Sequence, residues 1–127
     1  MSFSDYLEGK IVGHVFGGTA YTAPTTIYVG LSTANPDEDA SGLAEPTGGG
    51  YARKAVTWST SGSTATNNGA IEFPTATASW GTITHIGLFD AATAGNMIAY
   101  AGLSASKAID TNDIFRIPDG DLDVSIG

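Results

Sequence analysis

Two histidines are the chain's only side chains that ordinarily titrate near neutral pH, and no cysteine is present to act as a nucleophile. His85 stands in "TITHIGL", in phase with Ile83 and Gly87 on one face of an expected strand, with Thr84, Ile86 and Leu88 on the other. A catalytic histidine needs a nucleophile and an orienting carboxylate in defined positions. Asp90 lies across the pleat and no serine is singled out by spacing, so no triad is specified. His14 falls on an expected helix beside Val15, seven residues past Leu7 and three past Ile11, where it reads as a partly buried helix residue. Two histidines in different elements, with no local carboxylate pattern, do not describe a metal site.

The carboxylates and glycines give no stronger constellation. In "PDGDLDV", Asp119, Asp121 and Asp123 place oxygens at alternate positions as calcium loops do, but no acidic residue follows to close the coordination shell. The plainer reading puts Asp119-Gly120 in a turn and points Leu122, Val124 and Ile126 of a following strand at the core. The run "PDEDASGLAE" reads as a solvated acidic loop. "PTGGGY" is glycine-rich, yet neither Lys-Ser nor Lys-Thr follows and no helix opens after it, which removes the nucleotide-loop reading. Trp58, Trp80 and Tyr51 could form a flat sugar-binding platform, although aromatics at strand ends more often serve the core or subunit contacts. The residues therefore point to no enzyme, no metal and no cofactor.

Composition narrows the partners. Only five Lys and Arg stand against 13 Asp and Glu, for a net charge of −8, so a grip on nucleic-acid phosphates is excluded as a main function. The N-terminal "MSFSDYLEGK" carries acids and lacks a signal peptide's basic start and apolar run, and no stretch approaches the ~20 apolar residues of a membrane span. The expectation is a soluble protein made in a cytoplasm, with neither membrane nor nucleic acid as partner. Charged residues make up 14% of the chain against a usual ~25%, and glycine accounts for 17 of the 127 residues. Such a small-residue, charge-poor surface suits packing against other subunits, where buried charge is costly.

The elements that position these residues follow from periodicity. Asp5 and Glu8 have capping-box spacing, and Phe3, Leu7, Ile11 and Val15 recur every fourth residue, predicting one amphipathic helix over about 5–16, ended by Gly17-Gly18. "TTIYVGLST" (25–33) predicts a strand after Pro24, 34–50 a long loop, "YARKAVTW" (51–58) a strand, 59–69 a polar link, and "AIEFP" a short strand. "GTITHIGLFDAATAGNMIAY" predicts a hairpin with strands near 82–90 and 97–103, followed by short strands in "SKAID", "DIFRIP" and "LDVSI". With no helix between consecutive strands, the expected fold is a mainly β, antiparallel β-sandwich or small barrel with one short N-terminal α-helix, formed by residues 1–127 as one domain. The helix stripe Leu7, Ile11 and Val15 either covers the domain's own core, the preferred reading, or docks on a neighbour.

The phrase "TITHIGLFDAATAGNMIAYAGL" resembles one recurring in tailed-bacteriophage virion proteins: a strand ending Gly-Leu/Ile-Phe-Asp-Ala, a Gly-Asn turn, and a strand with a small-aromatic-small run. "SFSDYLEGKIVGHVFGGTAYTAPTTIYVGLSTANP", "GGGYARKAVTW", "IEFPTATASWGTITH" and "GDLDVSI" are similar to short phage proteins of the tail-fibre-like and capsid-decoration type, over almost the whole chain. The resemblance implies a non-enzymatic structural component of the virion surface, assembled in the host bacterial cytoplasm. On that reading it decorates and cements the capsid or, next in order, associates with the tail fibre; a carbohydrate-binding receptor module of the tail is the alternative. Its partners would be itself, as a trimer by family type, and capsid or tail proteins, with bacterial surface glycan under the alternative. The residues expected at subunit or partner contacts are Phe3, Leu7, Ile11, Val15, Trp58 and Trp80.

Overall fold

A computed structural model describes residues 1–126. In chain order the elements are β1 (Ser2–Phe3), α1 (Asp5–Val15), β2 (Ile27–Ser32), β3 (Lys54–Val56), β4 (Trp58–Ser61), β5 (Thr64–Asn67), β6 (Ile71–Glu72), β7 (Gly81–Phe89), β8 (Met97–Ile109), β9 (Arg116–Ile117) and β10 (Asp123–Ser125).

The helix begins where a side chain can take an orphan amide. Ser4, in extended conformation, accepts the Leu7 N–H through Oγ at 3.2 Å, so Ser4 is the cap and Asp5 opens the first turn instead of capping it. Asp5 and Glu8 then sit where the helix dipole favours acids. Ser4 also fastens this end to the sheet: its Oγ donates to the Met97 carbonyl and its N–H to the Ile98 carbonyl. The last turn closes with Phe16 N–H on Val12 O, after which Gly18 takes the left-handed conformation.

The β-branched run of β2 and the opening hairpin make the largest sheet, antiparallel throughout, in the order β1-β8-β7-β2-β3. Val29 and Leu31 of β2 and Ile86 and Leu88 of β7 belong to one cluster of buried apolar residues, with Ile71, Phe73, Trp80 and Phe115. Gly30 and Gly87 are paired across β2 and β7, and the Phe89 ring lies over both: a Cβ on either would stand 2.8 or 2.9 Å from its Cε1. Glycine is required there by close approach.

A second sheet, β10-β5-β4, packs on the same cluster through Trp58 and Val124, and β6 pairs with β9 alone. The fold is thus mainly β, built from antiparallel sheets in a sandwich arrangement with one short N-terminal helix. Three boundaries differ from the sequence reading. Residues 51–58 are not one strand, because the chain leaves the large sheet after Val56 and enters the second at Trp58. The 59–69 link is largely a hairpin, turned at Gly62 (φ 58°), whose small polar strands carry little hydrophobic signal. The strand expected over 97–103 continues unbroken to Ile109, and its register with β7 slips between Ile83 and His85. Burial on β7 accordingly jumps from Ile83 to Ile86, out of the two-residue phase that placed Ile83 with His85.

Candidate functional site

Where the two larger sheets meet, their inner faces do not close completely. Ile27, Leu88 and Ala99 of the large sheet face Trp58, Ala65 and Val124 of the second across a groove of about 330 Å³. Phe3 of β1 and Leu7 of α1 complete one wall, while Tyr21 and Pro24, from the segment that returns from the helix, stand beside them. No charged side chain lines it. Phe3 sits there because β1 pairs with β8, opposite Ala99, and Leu7 because the Ser4 cap fixes the helix start to Met97 and Ile98.

Tyr21 is held against the helix by its edge-on contact with the Tyr6 ring, 6.5 Å between centroids, and by its N–H donated to His14 Nδ1 at 3.0 Å. Partial burial raises the Tyr21 hydroxyl pKa above its ordinary value, with Tyr6 and Asp90 adding to the shift. Trp58 contributes its ring to the groove, and its Nε1 is buried without an acceptor, the one such side-chain atom among the described residues. Buried indole N–H groups usually find a partner, so this donor is an unmet demand of the groove wall.

The helix departs from the groove along its length. Leu7 packs on the core, Ile11 is half-buried, and no helix residue is fully buried. Beyond them Val12 (58%), Val15 (61%) and Phe16 (84%) are exposed, an i, i+3, i+4 patch with no cover among the described residues. The reading in which the whole stripe covers the core is therefore corrected: only the first two turns do so.

Of the six residues expected at contacts, the fold brings Phe3, Leu7 and Trp58 into one groove, places Ile11 and Val15 farther along the helix, and puts Trp80 elsewhere. Trp80 is buried in the core, its Nε1 donating to Gly49 O at 2.8 Å and its ring edge-on to Tyr51 at 5.3 Å, so it presents no contact surface in this fold. That packing also withdraws Trp80 and Tyr51 from the flat sugar platform. Tyr51 stacks on Phe73, donates its hydroxyl to Glu45 and accepts the Leu31 N–H; burial first, then the Glu45 carboxylate, raises its pKa well above the ordinary tyrosine range. Val12 and Phe16 were missing from the expected contacts, although the continued helical period at 12, 15 and 16 was a signal for them.

The remaining reactive side chains sit in structural surroundings. His85 is half-buried with Nδ1 2.8 Å from Thr84 Oγ1, and no carboxylate bonds to it among the described residues. His14 is exposed, not partly buried: it shares the Leu7 face of the helix but stands in the last turn, where Val12, Val15 and Phe16 are exposed too. Asp119 accepts the Gly69 N–H and Asp123 the Thr66 hydroxyl, each tying the C-terminal segment to the β5 region. Asp5, Glu8 and Glu38 bring three exposed carboxylates within 4.8 Å of one another. Of the acidic run, Asp37, Glu38 and Asp39 are exposed as expected, but Glu45 turns inward to pair with Arg53.

Across residues 2–125 the sequence matches the model of one family, podophage GP4 fiber I protein gp80. The chain belongs to this family. Members of the fiber I protein gp80 family are phage fibre proteins, and the chain is accordingly a structural component of a tailed-phage virion. No curated protein matches it in sequence. No helix among the described residues is long and apolar enough to cross a membrane.

Proposed function

We propose that the chain is a non-catalytic, self-associating building block of the phage fibre, carried on the virion surface and assembled as a trimer. The observation that supports this most is the pair of unfilled apolar surfaces on one small fold: a charge-free groove and an uncovered helix end. Exposed apolar patches of this kind mark protein contact sites, and a surface with few charges can be buried in symmetric copies without stranding ions. The family match favours the fibre over capsid decoration. The receptor-binding alternative loses two of its three aromatics to the core and keeps Trp58 alone.

Light scattering on the purified protein tests the reading. A mass three times that of the 12.9 kDa chain is expected at micromolar concentration, and a monomer persisting to several hundred micromolar would contradict it.

A further inference from the structure

The groove and the helix end are complementary, yet they cannot meet within one chain. Leu7 forms part of the groove wall, and Phe16 follows nine residues later, about 13 Å farther along the helix direction at 1.5 Å per residue. Phe16 therefore stands most of the helix length away from Leu7 in its own groove wall. What it can reach is the groove of another copy.

Size and charge both fit that occupant. The groove, about 330 Å³, is more than twice the ~150 Å³ void that admits a benzene ring, so a phenyl group enters with room for part of a valine. Val15, Phe16, Gly17 and Gly18 carry no charge and the groove lining has none, so insertion leaves no ion unpaired.

We propose that Phe16 of one copy inserts into the Phe3, Leu7 and Trp58 groove of the next, with Val12 and Val15 closing over the rim. This rests on the self-association reading and names its interface. The contact is heterologous, each copy giving one knob and one groove. Three side chains bury only a few hundred Å² per partner, short of the ~1,200 Å² total of a stable pair, so the contact is weak singly and firm in a closed ring.

The chain has no cysteine, which makes the test direct. Thr60 is exposed and lines the groove from β4. Copies carrying Val15→Cys, which leaves Phe16 in place, are mixed with copies carrying Thr60→Cys and treated with a short thiol-specific crosslinker. The mixed dimer is expected to dominate, with each variant alone crosslinking at least several-fold less. Val15→Cys linking chiefly to itself, or no mixed product from two folded variants, would overturn the proposal. In parallel, Phe16→Glu is expected to weaken assembly at least tenfold while its circular dichroism and melting temperature stay as in the parent, since Phe16 is 84% exposed. If the parent assembles and Phe16→Glu assembles equally well, the interface is wrong and self-association stands. If the parent is monomeric and the mixed cysteine variants give no crosslink, both fall together.

Discussion

The guanidinium of Arg53 lies 3.6 Å from the centre of the Phe89 ring, stacked on the outer side of the large sheet. The same group holds the Glu45 carboxylate through Nε and Nη2 and donates from Nη1 to the carbonyls of Ala91 and Ala94. One side chain thus ties the long 34–50 loop and the β7–β8 turn to the sheet, with the Arg53 side chain only 6% exposed. Phe89 in turn fills the space over Gly30 and Gly87 that any larger residue would contest.

Removing one member of this pair leaves a buried charge unmatched. Arg53→Met is expected to cost about 3 kcal/mol, the range for breaking a buried ion pair, and to lower the melting temperature by roughly 10 °C. The double variant Arg53→Met with Glu45→Gln should recover part of that loss. Thermal denaturation of the parent, the two single variants and the double variant checks it, and an additive loss in the double variant would refute the coupling.

Crowding over the paired glycines makes a second prediction. Gly87→Ala would place its Cβ 2.9 Å from two carbons of the Phe89 ring, forcing the ring and the Arg53 stack to shift. A loss of about 2 kcal/mol in chemical denaturation is expected, typical of overpacking, with the β content unchanged.

Asn67 links the two ends of the second sheet. Fully buried, it donates to the carbonyls of Gly69 and Pro118 and accepts the Leu122 N–H, so Asn67→Ala strands the buried Leu122 N–H and takes one donor from each carbonyl, of which Pro118 keeps the Asp121 N–H. The expected cost is about 3 kcal/mol, with faster hydrogen exchange at β10 as the local sign.

Acid should loosen the β7–β8 turn. Burial works to raise the Asp90 pKa, but hydrogen bonds from the Asn96 N–H and side-chain amide outweigh it and hold the carboxyl below its ordinary 3.8. A depressed folded-state pKa contributes stability above the unfolded value and loses it as pH falls through the folded one. The stability difference between the parent and Asp90→Ala should therefore shrink as pH drops from 5 to 2. A difference constant over that range would show that the carboxylate is not the relevant group.

How much of this was legible in the sequence depends on the range of the interaction. The hairpin, the central strand and the helix were readable because Ile86, Leu88 and Leu7 recur at the period of their own element. Ser4 was passed over for Asp5 as cap because either residue type serves and only backbone geometry decides. The β4–β5 hairpin was hidden by strands of Ser, Thr, Ala and Asn, which match a polar link in composition. Trp80 was assigned to the surface and Glu45 to solvent because their partners, Gly49 and Arg53, are fixed by tertiary packing. The groove is the meeting of Phe3, Leu7 and Trp58 from three elements, so the contact residues were nameable while the cavity between them was not.

The proposed role of the chain as a structural part of the fibre on the virion surface is tested most directly by antibody labelling of intact purified particles in the electron microscope, with copy number measured by quantitative mass spectrometry. Several copies per particle, in a multiple of three, with label at the tail, are expected. Protein abundant in infected cells but absent from purified particles, or label confined to the capsid faces, would contradict it.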